Sequence, residues 1–262
     1  QTKGWELAID YRHTFKNGLH FGVTASVADD KTEVTKWTYN TKIPSYGATG
    51  WWDKSAYKEG MVLGDIWGLQ FDRFLTEDDF NADGSLKAGL PDQTKVFPAG
   101  YQFAPGDVLY KDLDNNGEIV KQTNTNDKGD LSVIGNALPR LQFGLNLDAA
   151  WKGFDISMFF QGVAKRKLWA AGNQVLPGFT TGEPFYKGAE DYWTPENTDA
   201  FYPRPMDYKQ SASGNYSVND RYLLNMAYLR LKTFTVGYSL PKVWLSKFKV
   251  QGLRVYFTGE NL

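Results

Sequence analysis

Residues 140–152, RLQFGLNLDAAWK, decide how this chain is to be read. Leu141, Phe143, Leu145, Leu147, Ala149 and Trp151 occupy one parity. Arg140, Gln142, Asn146, Asp148 and Lys152 dominate the other, with Gly144 and Ala150 between them. A helix would scramble these two sets, whereas a strand places them on opposite faces. The stretch predicts a strand with one apolar face.

The alternation continues on both sides. Past a tight Lys152-Gly153 turn, Phe154, Ile156, Met158 and Phe160 alternate with Asp155, Ser157 and Gln161, although Phe159 and Val163 blur the polar side. Near the start, Trp5, Leu7, Ile9 and Tyr11 alternate with Glu6, Asp10 and Arg12. Lys16-Asn17-Gly18 then turns the chain into Leu19, Phe21, Val23, Ala25 and Val27. Asn-Gly is a strong hairpin signal because both residues tolerate positive φ. Two further strands are predicted at about 225–240 and 252–262, the last with Leu253, Val255 and Phe257 opposite Arg254, Tyr256, Thr258 and Glu260.

The connections are one-sided. Those at 16–18, 152–153 and about 241–251 are short or moderate, and the other two, at roughly 29–137 and 170–224, are very long. In an antiparallel meander every short turn then falls at one end and every long excursion at the other. Outer-membrane barrels are built this way, and their strands show an apolar band outside and a polar face inside. The reading is therefore all-β: a segment of an antiparallel transmembrane β-barrel with long extracellular loops. A β-sandwich is the soluble alternative, with its polar face toward solvent.

Composition removes most other classes. The 262 residues carry 29 basic and 30 acidic side chains, which leaves no basic footprint for nucleic acid. With no Cys there are no disulfides or thiolate sites, and the only two histidines, His13 and His20, lie close together, unlike parts of a separated triad. Mean hydropathy is −0.47. No run of about eighteen apolar residues predicts a membrane helix, but a barrel strand escapes that test. No leader is recognisable, and Gln1 opens directly in a strand-like segment, so the chain is expected to begin partway through a larger protein.

Within the first excursion, Thr76 is expected to cap a short helix whose first turn holds Glu77, Asp78 and Asp79. Further on, Asp112-Leu113-Asp114-Asn115-Asn116-Gly117-Glu118-Ile119 matches the front half of a calcium loop. Side-chain oxygens fall at the first, third and fifth positions, Gly at the sixth, a backbone carbonyl from Glu118 at the seventh and an apolar residue at the eighth. The twelfth position is Thr123 where a carboxylate would close the site, and Asp127 or Asp130 would have to replace it. Two readings stand: a structural Ca2+ or Mg2+ held by Asp112, Asp114, Asn116, Glu118 and Asp130, or an Asx-rich turn that satisfies its own backbone.

Taken together, GMVLGDIWGL (60–69), GDVLYKDLDNNGEI (106–119), GNALPRLQFGLNLDAAWKGFDISMFFQG (135–162), WTPEN (193–197), YLRLKTFTVGYSLP (228–241) and LRVYFTGENL (253–262) resemble the C-terminal part of SusC-like (SusC/RagA family) TonB-dependent outer-membrane transporters of Bacteroidetes. The resemblance covers nearly the whole chain, residues 1–262. It implies a large barrel of which this chain would supply about six strands. It also implies an N-terminal plug and TonB box, neither recognisable here, and a SusD-like lipoprotein at the extracellular mouth. Family members continue past the final GENL into another loop and strand. They close the acidic turn with an Asp soon after the apolar position, which makes Asp130 the counterpart, displaced by an insertion.

The resemblance implies TonB-dependent active uptake of oligomeric nutrients across the cell outer membrane, most often oligosaccharides and sometimes oligopeptides, and no enzymatic role. Trp37, Trp51, Trp52, Tyr57, Trp169, Tyr186, Tyr192 and Trp193 lie in or beside the long connections, where they could stack on sugar rings. Trp51, Trp52 and Tyr57 fall outside the family motifs and are the expected substrate contacts. Trp193, inside one, is expected to be structural. Lys165-Arg166-Lys167 is expected to mark the external rim of a strand as a solvated charge cluster. A soluble or surface-exposed all-β module folded around calcium is the alternative. A glycoside hydrolase would need two carboxylates at a set separation, and no pair has a distinctive context.

Overall fold

A computed structural model describes residues 1–37, 59–121, 128–178, 185–206, 214–246 and 250–262. Its strands are Thr2–Thr14 (β1), His20–Thr32 (β2), Asp65–Gly68 (β3), Phe71–Phe74 (β4), Val108–Tyr110 (β5), Ser132–Asn136 (β6), Arg140–Trp151 (β7), Phe154–Lys165 (β8), Lys167–Leu168 (β9), Leu224–Asn225 (β10), Tyr228–Ser239 (β11) and Arg254–Glu260 (β12). Two compact units result. One, residues 2–32, 139–166 and 225–262, is a sheet, and the other, residues 33–138 and 167–224 with Gln1, gathers the long connections.

The sheet has six strands in the order β1-β2-β7-β8-β11-β12, and every pairing within it is antiparallel. It is open, with β1 and β12 at its edges. Its register lines up the apolar parities of successive strands. Ile9 lies opposite Ala25, Ala25 opposite Leu145, and Leu145 opposite Phe160. Farther along, Ala149 faces Ile156, Ile156 faces Val236, and Val236 faces Phe257. Directly paired residues share a face, so one apolar surface runs across all six strands. Much of it is open: Ile9 is 58 % exposed, Phe154 59 % and Phe257 64 %.

The opposite face is polar. Thr24 donates to Asp10 at 2.6 Å, Arg254 pairs with Asp155 at 2.5 Å, Thr235 and Thr258 share a hydrogen bond, and His20 lies 3.6 Å from Asp148. Phe159 interrupts this face, as its sequence position indicated.

The turns show how local chemistry sets the register. Lys152 and Gly153 both adopt positive φ, 49° and 90°, as a two-residue hairpin loop matching strand twist requires. At 15–19 the Asn-Gly expectation is met only in part, since Gly18 alone is left-handed at φ 82°. Its N–H bonds to the Phe15 carbonyl, Phe15 N–H bonds to Leu19, and the Asn17 side chain takes the Leu19 N–H. That is a type I turn with a glycine bulge, which needs one positive φ rather than two.

Gly153 also has no room for a side chain, because a Cβ there would meet the Ser239 carbonyl oxygen at 2.7 Å, whereas one at Gly18 would meet nothing. Gly18→Ala is expected to cost about 1 kcal/mol from backbone strain alone, and Gly153→Ala distinctly more. Denaturant midpoints of the two variants check that ranking.

Several boundaries differ from the sequence reading. β2 continues through Thr32, into the stretch predicted as connection, and the predicted 225–240 strand divides into β10 and β11, with a bulge between Leu231 and Thr233. Leu141, the second residue of β7, takes φ 52° and gives its N–H to Asp29, whose carboxylate also takes the Arg140 guanidinium at 2.5 and 2.6 Å. The expected helix after Thr76 is a single 3-10 turn, Glu77–Asp79. Arg73 forks onto the Asp79 carboxylate there and, with the Thr76 N–H, pulls its pKa down to about 2.

The loop unit has its own core of Leu69, Phe74, Val96, Val108, Ile119 and Trp193, with a second cluster of Trp169, Leu176, Tyr216 and Tyr222. Amide side chains complete the short β5 strand. Buried Gln93 donates to the Val108 carbonyl and accepts from the Tyr110 N–H, and Asn215 accepts from the Val108 N–H. Asp107, fully buried, accepts from Tyr101 Oη, Ala104 N, Arg204 Nε and Asn215 Nδ2 at 2.8 to 2.9 Å. Arg221 lies 4.3 Å from the Phe71 ring centre and donates to the carbonyls of Ala200 and Phe201. A unit with little regular structure thus satisfies its buried backbone through side chains.

Candidate functional site

The acidic loop is anchored by Ile119, which is fully buried in the loop unit's main core, and by a ladder in which Ile119 N–H bonds to the Asp92 carbonyl and Asp92 N–H to that of Gly117. Asn115 and Gly117 take positive φ, 59° and 84°, and these reverse the chain sharply. Asp112 accepts from Gly117 N–H at 2.8 Å, Asp114 from Asn116 N–H at 3.2 Å, and Asn116 from Glu118 N–H at 2.8 Å. The loop organises its own backbone, as an Asx-rich turn does.

Asp130 is fully buried and comes back onto this turn, one carboxylate oxygen taking the Leu113 N–H and the other the Val120 N–H. The carboxylates of Asp112, Asp114 and Asp130 then lie within 4.8 Å of one another. Within the turn the Asn116 amide nitrogen donates to Asp114, and the Glu118 carboxylate pairs with Lys95, which leaves the Glu118 backbone carbonyl as its expected contribution.

Charge crowding has a measurable signature. Desolvation, followed by the neighbouring Asp130 and Asp112 charges, raises the Asp114 pKa. Desolvation opposes ionisation of Asp112 too, but the N–H groups of Gly117, Asn115 and Asn116 outweigh it and lower that group. Three hard oxygen donors with spare lone pairs suit Ca2+ or Mg2+.

The aromatic candidates separate by burial. Trp169 and Trp193 are 2 % and 7 % exposed and belong to the two cores, which leaves them no face for a ligand. Trp193 packs so closely that a Cβ on Gly106 would meet its ring at 2.5 Å. Trp51, Trp52 and Tyr57 lie outside the described residues. Tyr186 and Tyr192, by contrast, line a cleft of about 380 Å3 together with Phe185, Tyr202, Tyr216 and three prolines. Sequence reasoning did not single out this cleft. Its only local signal is the density of Tyr and Pro between 177 and 216.

No family model matches the chain. Two TonB-dependent receptors of Formosa agariphila, P3 and P26, align with all of it at 26 % and 34 % identity. The chain spans 24 % of the length of each. Solved structures of the RagAB peptide transporter and of the RagAB importer in a closed-closed state superpose on the whole chain with TM-scores of 0.66 and 0.60, at 17 % identity, and the chain covers 25 % of each. These relatives are receptors and transporters, not enzymes. The resemblance read from the sequence is thereby borne out: along its entire length this chain matches TonB-dependent receptors of Bacteroidetes, about a quarter of one such receptor.

Proposed function

We propose that this chain forms part of the wall and external mouth of an outer-membrane β-barrel. The barrel imports oligomeric nutrients, oligosaccharides foremost, by TonB-dependent transport, with a SusD-like surface lipoprotein as partner. The observation that carries the reading is the apolar surface running across all six paired strands and lying open, opposite a polar face. In a soluble sandwich that surface would be covered by a second sheet, whereas lipid covers it in a barrel.

Three further features support this. Five of the six sheet strands have 12 or 13 residues, more than the roughly 9–11 that cross a bilayer, and the edge strand β12 has 7. Tyr11, Phe21, Trp151, Phe154 and Tyr238 gather near the short turns, as an interfacial aromatic girdle does. Among the described residues no strand pairs with the outer edges of β1 and β12, where further strands would complete the wall.

The test is uptake of labelled oligosaccharide by cells carrying the intact receptor. It is expected to disappear on deletion of TonB and to fall sharply without the SusD-like partner. A monodisperse, detergent-free product with its apolar face packed on another sheet would overturn the reading. Peptide cargo is the second reading, because the RagAB neighbour is a peptide transporter. Competition of peptides with the labelled sugar decides between them.

The acidic loop, on this reading, holds a structural Ca2+ or Mg2+ through Asp112, Asp114 and Asp130, which the clustering of those carboxylates supports. When bound, the ion would offset their mutual repulsion and tie residue 130 to the turn at 112–117. Asp114→Ala is expected to speed proteolysis between residues 112 and 130 about tenfold, a change of about 1.4 kcal/mol, without affecting barrel assembly. Chelator should reproduce the effect in the unsubstituted protein. Equal cleavage with and without chelator discards the metal.

A further inference from the structure

The cleft around Tyr186 is the part of the loop unit that its folding does not explain. The unit buries its larger aromatics, Trp169 and Trp193, yet leaves Phe185, Tyr186 and Tyr192 from 40 to 55 % exposed along one concave surface. Exposed aromatic side chains lining a concavity are the default candidate for a binding site. At about 380 Å3 the cleft falls in the range of small-ligand sites.

Its polar complement is small and balanced. Lys187 and Glu190 line it, and neither forms a side-chain hydrogen bond or ion pair among the described residues. One cation and one anion leave no net charge, which does not select an ionic ligand. Pro177, Pro203 and Pro205 form part of the wall and have no N–H with which to pair an extended peptide. A pyranose suits what remains. Its CH-bearing faces lie on aromatic rings, and the hydroxyls at its edge can accept from an ammonium and donate to a carboxylate.

We propose that this cleft is a subsite for a neutral sugar ring, with Tyr186 and Tyr192 as the stacking faces and Lys187 and Glu190 as the hydroxyl partners. The inference rests on the importer reading.

The intact receptor containing this chain, purified in detergent, is titrated by calorimetry with malto-, cello-, xylo- and laminari-oligosaccharides and, separately, with a proline-rich peptide. One sugar series is expected to bind. Tyr186→Ala and Tyr192→Ala should each weaken it roughly tenfold, while heat-modifiable migration on gels, a signature of the folded barrel, stays unchanged. Both rings are exposed, so their removal leaves the cores intact. Glu190→Gln should weaken binding less, because the amide still accepts from a hydroxyl.

Unchanged affinity in both tyrosine variants, binding by none of the sugars, or loss of peptide binding in place of sugar binding would each overturn the proposal. TonB-dependent uptake separates this failure from that of the importer reading. Uptake that needs TonB but ignores the tyrosine variants rejects the cleft alone, and uptake indifferent to TonB rejects the importer even where the cleft binds sugar.

Discussion

In the barrel proposed above, Leu145→Arg is expected to destabilise the assembly by about 2–4 kcal/mol, the cost of a cation on a lipid-facing position near mid-membrane, while Asn146→Arg, one residue along, stays within about 1 kcal/mol. Leu145 is flanked across the sheet by Ala25 and Phe160, at the centre of the apolar surface. An arginine there has no anion within its own strand pairings and must reach for the interface. Asn146 pairs with Thr24 and Phe159 on the polar side, where a cation is solvated. Urea titrations of both variants in detergent, read by heat-modifiable migration, measure the difference. If the two positions behaved alike, or if Asn146→Arg were the damaging change, the outward-facing assignment of the apolar parity would be wrong.

Asp107→Ala is expected to destabilise the loop unit by about 3–5 kcal/mol, the range for breaking a buried ion pair by removing one partner. The carboxylate has no exposed surface, and the Arg204 side chain is 24 % exposed. Arg204 cannot shed its proton in response, because a guanidinium stays charged in proteins even where it is partly buried. Removal of the carboxylate therefore strands a cation and takes one acceptor each from Tyr101, Ala104 and Asn215. Limited proteolysis of the folded receptor should show residues 59–121 and 185–206 cut faster. Asp107→Asn with Arg204→Met should recover much of the loss, because it removes the stranded charge while keeping an acceptor for Ala104 N–H. A single Asp107→Ala variant cut at the ordinary rate would show that the four-way junction carries little of the unit's stability.

The strands were legible because each reports on its own surroundings. Residues 140–151 carry their sidedness in the alternation of Leu, Phe and Ala with Arg, Gln, Asn and Asp, and the register that the structure adopts keeps the same residues together. Turn chemistry was equally local at Lys152-Gly153 but less complete at Asn17-Gly18, where two turn types use the same dipeptide and strand register chooses between them. The acidic loop was half legible. Asp112, Asp114 and Gly117 stand at fixed spacings, but the return of Asp130 to them and the pairing of the Glu118 carboxylate with Lys95, far away in sequence, are not written in that spacing. Aromatic residues were the least legible class. Trp169 and Tyr186 both looked like stacking candidates, yet one is buried and the other exposed, and only neighbours brought in from elsewhere along the chain separate them.

The sequence by itself determined the two-faced strands, their antiparallel order and the end at which the long connections emerge, because period-two patterning and short turns are properties of contiguous residues. Only the tertiary structure decided that Asp130 returns to Asp112 and Asp114, that Asp107 gathers Tyr101, Arg204 and Asn215, and that Pro177, Phe185, Tyr186, Tyr192, Tyr202 and Tyr216 line one cleft. Those meetings depend on how connections without regular secondary structure fold back on themselves, and no periodicity along the chain encodes which distant side chains such a path brings together.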